Sequence, residues 1–203
     1  MNINNLTNGN TANRKKYTKK IGLVAVVAIL VIWVVYAYNG FVDKDEQCNS
    51  QWSKVQVQYQ RRLDLIPNLV STVKGYATHE SATLEKVIAA RNKAMNTPSD
   101  EASSAQYEKA QSAVTSAIRD INVVVERYPE LKANENFLAL QSQLEGTENR
   151  IAVERKRYAE LVQTYNKSVR VFPKSIVASV FSFNQKEYYQ ADESAGQAPK
   201  VEF

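Results

Sequence analysis

The sequence predicts an all-α protein: an N-terminal transmembrane helix followed by an antiparallel long-helix (four-helix) bundle. Three observations carry that reading. Residues 21–38 form eighteen consecutive positions without a charge. Apolar and aromatic residues then recur every three or four positions through three long runs, the period of a helix and not of a strand. Six Gly and five Pro in 203 residues are too few for the turns of a loop-rich all-β fold.

At 1.5 Å per residue the uncharged stretch covers roughly 27 Å, close to the ~30 Å hydrocarbon core of a bilayer. Trp33, Tyr36 and Tyr38 gather at one end, where aromatic rings favour the headgroup level. Arg14, Lys15, Lys16, Lys19 and Lys20 precede the stretch, while Asp43, Lys44, Asp45 and Glu46 follow it. The positive-inside rule then predicts a single pass through the inner or plasma membrane, with a cytoplasmic N-terminus and an extracytoplasmic domain. A cleaved signal peptide is the competing reading. Its apolar region would run about 7–15 residues and end in a small-x-small cleavage site, and neither fits here. Asp45, Glu46 and Gln47 before Cys48 do not look like a lipoprotein signal either.

Residues 1–20 read as a basic, disordered cytoplasmic tail. Its five cations account for the whole formal net charge of +5, because the remaining 21 basic residues meet 21 acidic ones. The pI of 9.2 therefore describes a tail and gives no support to a nucleic-acid surface. Cys48 is the single cysteine, which leaves no disulfide framework and no thiolate metal site.

Residues 39–183 read as the bundle. Counting from Cys48, a 3-4 spacing meets Trp52, Val55, Tyr59, Arg62, Ile66, Leu69, Val73 and Tyr76. Pro67 lies inside this run; it lacks an N–H and crowds the carbonyl four residues earlier, so a kink is expected near residues 63–67. A shorter helix is expected from about His79 to Met95, with Leu84, Ile88 and Met95 on its stripe. In the punctuation that follows, Thr97 suits a cap, Pro98 the first helical position and Asp100 the first turn. The third helix shows Tyr107, Ala110, Val114, Ala117, Ile121, Val124 and Tyr128, and Pro129 should stop it. The fourth should run from near Asn134 to about Arg170, with Phe137, Gln141, Leu144, Glu148, Ile151, Arg155, Tyr158, Val162, Tyr165, Val169 and Phe172 on one face. A short amphipathic piece over 176–183 leads to a polar tail, residues 184–203. Short links between long helices imply antiparallel neighbours.

Several of these residues also carry a resemblance. Arg62-Leu63-Asp64-Leu65-Ile66-Pro67-Asn68-Leu69-Val70 resembles the R-x-D-L-I-P-N-L-V signature of the LemA family, as do Gly75-Tyr76-Ala77, His79-Glu80 and Ala90-Arg91. The longest likeness runs from Tyr128-Pro129-Glu130-Leu131-Lys132-Ala133 through Phe137, Leu140, Leu144, Glu148-Asn149-Arg150-Ile151 and Tyr158 to Tyr165-Asn166 and Phe172-Pro173. Tyr38-Asn39 and the stretch from Pro199 to Phe203 are similar to the family's borders. The resemblance implies a membrane-anchored four-helix bundle to which no enzymatic reaction is assigned. It also implies neighbours such as TPM-domain membrane proteins or membrane zinc proteases, and one branch that serves magnetosome membranes. The sequence departs from the pattern at Ala159, where many relatives carry Asn, and in its longer basic tail, so topology is not taken from relatives.

His79-Glu80 begins an H-E-x-x-H zinc motif, but position 83 is threonine and His79 is the single histidine. The same histidine would have to serve any Ser-His-Asp or Cys-His arrangement, and no Gly-rich phosphate loop is present. No catalytic residue, metal site or cofactor is assigned. The aromatic stripe members read as core before they read as a haem or flavin box. The charged stripe members say more: Arg62, Arg91, Glu148 and Arg155 would each be costly to bury alone, so they are expected to pair. Arg62 is the expected partner of Glu148, with Arg91 the alternative. One reading is an ion-paired layer that fixes helix register; the other is a polar groove for a ligand or partner segment. Asp64 and Asn68, one turn apart around Pro67, either join that layer or cap the freed carbonyls.

The functional expectation is a non-enzymatic, membrane-tethered adaptor or scaffold that meets itself or neighbouring membrane proteins, with no nucleic acid and no evident small-molecule substrate. The alternative is an extracytoplasmic helical-bundle sensor, which would signal through a partner because only about 20 residues lie on the cytoplasmic side. Gly22, Ala25 and Ala28 place small residues at three-residue steps in the span. They suit close helix contact, and equally the ordinary composition of a transmembrane helix.

Overall fold

The computed structural model describes residues 4–99 and 104–188, and the described residues hold six helices and no strand. These are α1 (Asn4–Tyr76), α2 (Ser81–Asn96), α3 (Ser104–Val125), α4 (Pro129–Lys132), α5 (Glu135–Arg170) and α6 (Lys174–Val180). The described residues fall into two compact units, one within residues 46–164 together with 186–188, the other within residues 4–45 together with 165–185.

In the first unit, α1 faces three partners, and residue numbers give their directions. Trp52 stacks near Tyr158, Arg62 meets Glu148 and Tyr76 meets Asn134, so α5 runs antiparallel to α1. Trp52 bonds Ser99 just beyond α2 and Leu63 receives Arg91, so α2 is antiparallel as well. Tyr59 meets Glu108 while Arg62 reaches Gln111 and Thr115, so α3 runs parallel to α1. The result is an up-down-up-down bundle of α1, α2, α3 and α5, held by alternating short connections. Its centre is a cluster that includes Ile66, Leu69, Val73, Val87, Val114, Ile121, Leu131 and Phe137. Trp52 and Tyr59 extend the packing toward Tyr107 and Tyr158 through edge-on and tilted ring contacts.

The helix borders follow local chemistry, and several differ from expectation. Residues 4–20, expected as a disordered tail, belong to α1; extending an already nucleated helix costs far less than starting one. As expected, the helix continues through Pro67 to Tyr76. On α2 the buried residues are Leu84, Val87 and Ala94, whereas Ile88 and Met95 are 43% and 48% exposed. Thr97 closes α2 instead of opening α3, its hydroxyl donating to the Lys93 carbonyl at 2.8 Å. Pro98 is non-helical, and Asp100 lies outside the described residues. Pro129 does more than stop a helix: α3 ends at Val125, and Pro129 occupies the first position of α4. The α5 start is capped by Asn134, whose Oδ1 accepts from the Phe137 N–H at 3.0 Å. Ala77, fully buried, replaces Tyr76 at the end of the α1 stripe, and Phe172 is exposed instead of closing that of α5.

The second unit packs the chain around residue 41 against the segment after α5. The Tyr38 ring lies edge-on to Phe181 and Phe183 at 5.0 and 5.4 Å, and Phe41 tilts against Phe183 at 5.2 Å. The turn after α6 makes this possible. Ser182 adopts a left-handed conformation (φ 60°), and the Phe183 N–H donates back to the Ala178 carbonyl at 2.9 Å. That 6→1 bond is the Schellman ending, here with serine where glycine is usual. Residues 184–188 of the expected polar tail are non-helical, and the rest of it lies outside the described residues.

Of the described chain, one helix is long and apolar enough to cross a membrane, and its apolar window is almost wholly unburied. Ile21, Leu23, Val24, Ile29 and Ile32 are all more than 60% exposed. A water-soluble core helix would hide those side chains; a membrane span offers them to lipid.

Candidate functional site

The polar residues of the bundle converge on Arg62. Its side chain is 1% exposed, the bulkiest of those fully buried. It stands on the apolar stripe of α1, facing α3 on one side and α5 on the other. One terminal nitrogen reaches Glu148 Oε1 at 2.5 Å and donates to Thr115 Oγ1 at 2.8 Å. The other donates to the Gln111 carbonyl at 2.9 Å and to Gln111 Oε1 at 2.6 Å. The guanidinium carbon also sits 5.2 Å from the Tyr59 ring centroid, a cation–π contact. A guanidinium can be buried here because four acceptors and a ring face surround its planar fork.

A second pair lies one turn earlier. The Tyr59 hydroxyl donates to Glu108 Oε2 at 2.7 Å. Burial pushes the Glu108 carboxyl above its ordinary range, against the opposing pull of the Tyr59 hydrogen bond and of the Arg155 and Arg62 charges. Burial first, and the Glu108 charge second, push the Tyr59 phenol well above its usual value. Arg62 Nε, Glu108 Oε1, Gln111 Nε2 and Gln58 Oε1 are buried without a hydrogen-bond partner. Three of these atoms belong to residues of the Arg62–Tyr59 layer, and unmet buried polarity of that kind is unusual in a native interior.

The layer is closed at one end only. Glu148 retains 40% side-chain exposure and, with Thr115, lines an open groove of about 400 Å³. Leu69, Ile118, Phe137 and Leu144 supply the groove's apolar lining, and Arg119 and Glu145 bring charge to it. The arrangement thus combines both sequence readings: a buried cation fixing the register of α1, α3 and α5, and a carboxylate partner facing an accessible cleft.

The other expected site residues fall elsewhere. Arg91 is not part of the layer; its Nε donates to the Leu63 carbonyl at 2.9 Å. Pro67 has no N–H to offer that carbonyl, so α2 supplies the donor that α1 lacks. Asp64 and Asn68 do not cap it. Asp64 is exposed and accepts from Gln60 at 2.8 Å, and the exposed Asn68 only receives the Thr72 hydroxyl on its carbonyl. Arg155 is half-buried and acts on Glu108 and Tyr59 through its charge. Sequence reasoning missed Gln111, Thr115 and Glu108. Each is adjacent in sequence to a stripe position, namely Ala110, Val114 and Tyr107, which is the one signal that could have marked them.

His79 is exposed in the turn before α2, while Glu80 pairs with Arg127 at 3.1 Å and accepts from Tyr128. Among the described residues no group of three His, Cys, Asp or Glu side chains could hold a metal ion. Cys48 is buried.

Comparison with known proteins matches residues 51–203 to the model of the LemA family. Magnetosome protein MamQ 2 of Paramagnetospirillum magneticum is 24% identical over 89% of this chain and 74% of its own. Protein LemA of Metamycoplasma hominis is 22% identical over 84% and 78%. Magnetosome protein MamQ of Magnetospirillum gryphiswaldense is 22% identical over 89% and 73%.

Proposed function

The chain belongs to the LemA family, and from that premise we propose that it is a membrane-anchored, non-enzymatic adaptor that associates with itself or with neighbouring membrane proteins. The observation that carries the reading is the division of labour within α1. Its residues 21–32 expose their large apolar side chains, and its residues from Trp52 to Val73 form one wall of the bundle core. An anchor and a helical surface are what a scaffold requires. Residues 39–203 are neutral overall, with 21 basic and 21 acidic side chains, so recognition falls to specific helix faces or to the span, not to loose attraction for anionic surfaces. In the span, Gly22 has open space where a side chain would be, which suits a close helix contact. The TPM-domain proteins and membrane zinc proteases suggested by the family resemblance are the first partners to look for.

Gentle extraction tests this directly. The native protein should run in mild detergent as a complex, with itself or with another membrane protein. Exchange of residues 21–38 for an unrelated span weakens the complex if the membrane segment contributes, and leaves it intact if the bundle alone decides. A monomer at native levels, combined with turnover or specific small-molecule binding, would defeat the adaptor reading. The groove beside Glu148 favours one alternative, an extracytoplasmic ligand sensor. A thermal-shift screen that raises the melting point of the parent, but not of a variant with Leu144→Arg in the groove, would promote it.

A further inference from the structure

Outside the span, most exposed apolar side chains of the described chain stand apart from one another. The exception is Val171, Phe172, Ile176, Val180 and Phe181, five within eleven residues. Ile176 and Val180 are one turn apart on α6, at 58% and 71% exposure, and Phe172 just before the helix is 76% exposed. The other side of α6 is committed to its own unit through buried Val177 and Ala178. A short helix has therefore been given two apolar faces.

Its position supplies the reason. Phe181 and Phe183 touch the ring of Tyr38, at the end of the expected span, and Phe183 also packs on Phe41. Ala37 and Phe41 are 2% and 1% exposed, and Trp33 and Val34 are half-buried. Ile32, Val35 and Tyr36, on other faces, are each more than half exposed. One side of the last turns of the span is thus covered by protein. Within this unit the covering chain is Tyr165–Gln185. That segment carries Lys167, Arg170 and Lys174 and no acidic residue.

We propose that α6 with Phe172 is an interfacial foot that lies in the lipid headgroup region of the leaflet through which the span exits. Phe172, Ile176 and Val180 enter the upper acyl chains, and the three flanking cations stand at phosphate level. The occupant is the bilayer itself, because the foot is joined by ring contacts to the residue at which the span leaves the hydrocarbon. The energetics agree: an apolar face with basic flanks binds the interface through buried area plus attraction to phosphate. The foot limits the tilt of the span to which it is joined. This inference rests on residues 21–38 spanning the bilayer.

The test uses the full chain in vesicles of phosphatidylcholine and phosphatidylglycerol. Single cysteines at Ile176, Val180, Val27 and Asn96 carry an environment-sensitive fluorophore, and the parent chain, whose Cys48 is buried, provides the labelling blank. Lipids with spin labels high or low on the acyl chain, and aqueous iodide, serve as quenchers. Probes at 176 and 180 should be quenched by shallow lipid labels at least about threefold more than the probe at 96. The probe at 27 should respond best to deep labels. Lipid quenching at 27 without any at 176 and 180 overturns the foot and leaves the span intact. Protection of 176 and 180 from both lipid and iodide also overturns it, because protein then covers the patch. Absence of lipid quenching at 27 removes the span, and the foot with it.

Discussion

Arg62 and Glu148 form an unequal pair, and the inequality sets what each substitution does. A carboxylate lost from a fully buried pair would cost about 3–5 kcal/mol, and one lost from the surface about 1 kcal/mol or less. Glu148 is 40% exposed, while Arg62 is 1% exposed and keeps Thr115 and Gln111 as acceptors. Glu148→Ala should therefore destabilise by about 2 kcal/mol, measured by urea unfolding of the detergent-solubilised chain. Arg62→Ala should cost more, because it also empties the space between three helices. Equal losses from the two substitutions would contradict this geometry. Glu108 gives the layer a pH dependence of definite sign. Its carboxyl is held above its ordinary value of about 4.5 mainly by burial, so the folded state binds the proton more tightly than the unfolded chain. The contribution is most favourable below that unfolded value and is lost as pH rises through the folded one. Glu108→Gln keeps an acceptor for the Tyr59 hydroxyl and removes the titration. Relative to the parent, its stability should improve steadily from about pH 4.5 toward neutrality; a constant difference across that range would contradict the burial argument.

At the scale of helices, the repair of α1 by α2 is the distinctive feature. Pro67 leaves the Leu63 carbonyl without its helical donor, and Arg91 supplies one. Arg91→Ala should cost about 1.5–3 kcal/mol in the parent, as a charged hydrogen bond does. In a Pro67→Ala background, position 67 regains an N–H and the same change should cost about 1 kcal/mol less. Additive losses in that double-mutant cycle would show that Arg91 serves Leu63 no more than solvent could. The Pro67 end of this arrangement was legible in the sequence, since a proline at the centre of an apolar stripe announces an orphaned carbonyl. The donor was not, because Arg91 is 28 residues away and nothing local says which neighbour it faces. The stripes of α1, α3 and α5 were legible for the same reason that they fold: Val55, Ile66, Val114, Ile121, Ile151 and Val162 repeat at helical period and all are buried. On α2, Leu84 is buried as expected, but the other two stripe positions were misplaced by one, at Ile88 and Met95 where Val87 and Ala94 are buried. Small Ala94 fits the tight contact while larger Met95 does not, and periodicity counts both as apolar. Which helix pairs with which, and hence the convergence of Gln111, Thr115 and Glu108 on Arg62 and Tyr59, depends on three-dimensional packing that no local pattern encodes.

For the whole molecule, the charges around the apolar segment predict a direction across the membrane. Five cations within residues 1–20 precede the span, and Asp43, Asp45 and Glu46 follow it with Lys44 as the one cation among them. Cations close to a span resist translocation, whereas acidic residues contribute little, so the tail is expected to decide the orientation. The cations of the bundle cannot compete, because they lie mostly beyond the 15–20 residues over which the rule is felt. The N-terminus should be cytoplasmic and the bundle extracytoplasmic. Asn96, exposed at the end of α2, is a suitable reporter site, and Cys48 is buried in the unlabelled background. A membrane-impermeant maleimide applied to intact cells, or to spheroplasts where an outer membrane intervenes, should label a cysteine at position 96 without lysis. Labelling only after lysis would place the bundle in the cytoplasm. If the tail is the cause, changing Lys15, Lys16, Lys19 and Lys20 to glutamine should reduce labelling at position 96 and make part of the population reactive only after lysis. A tail stripped of those charges that still labels fully from outside would mean that something other than the positive-inside bias orients the chain.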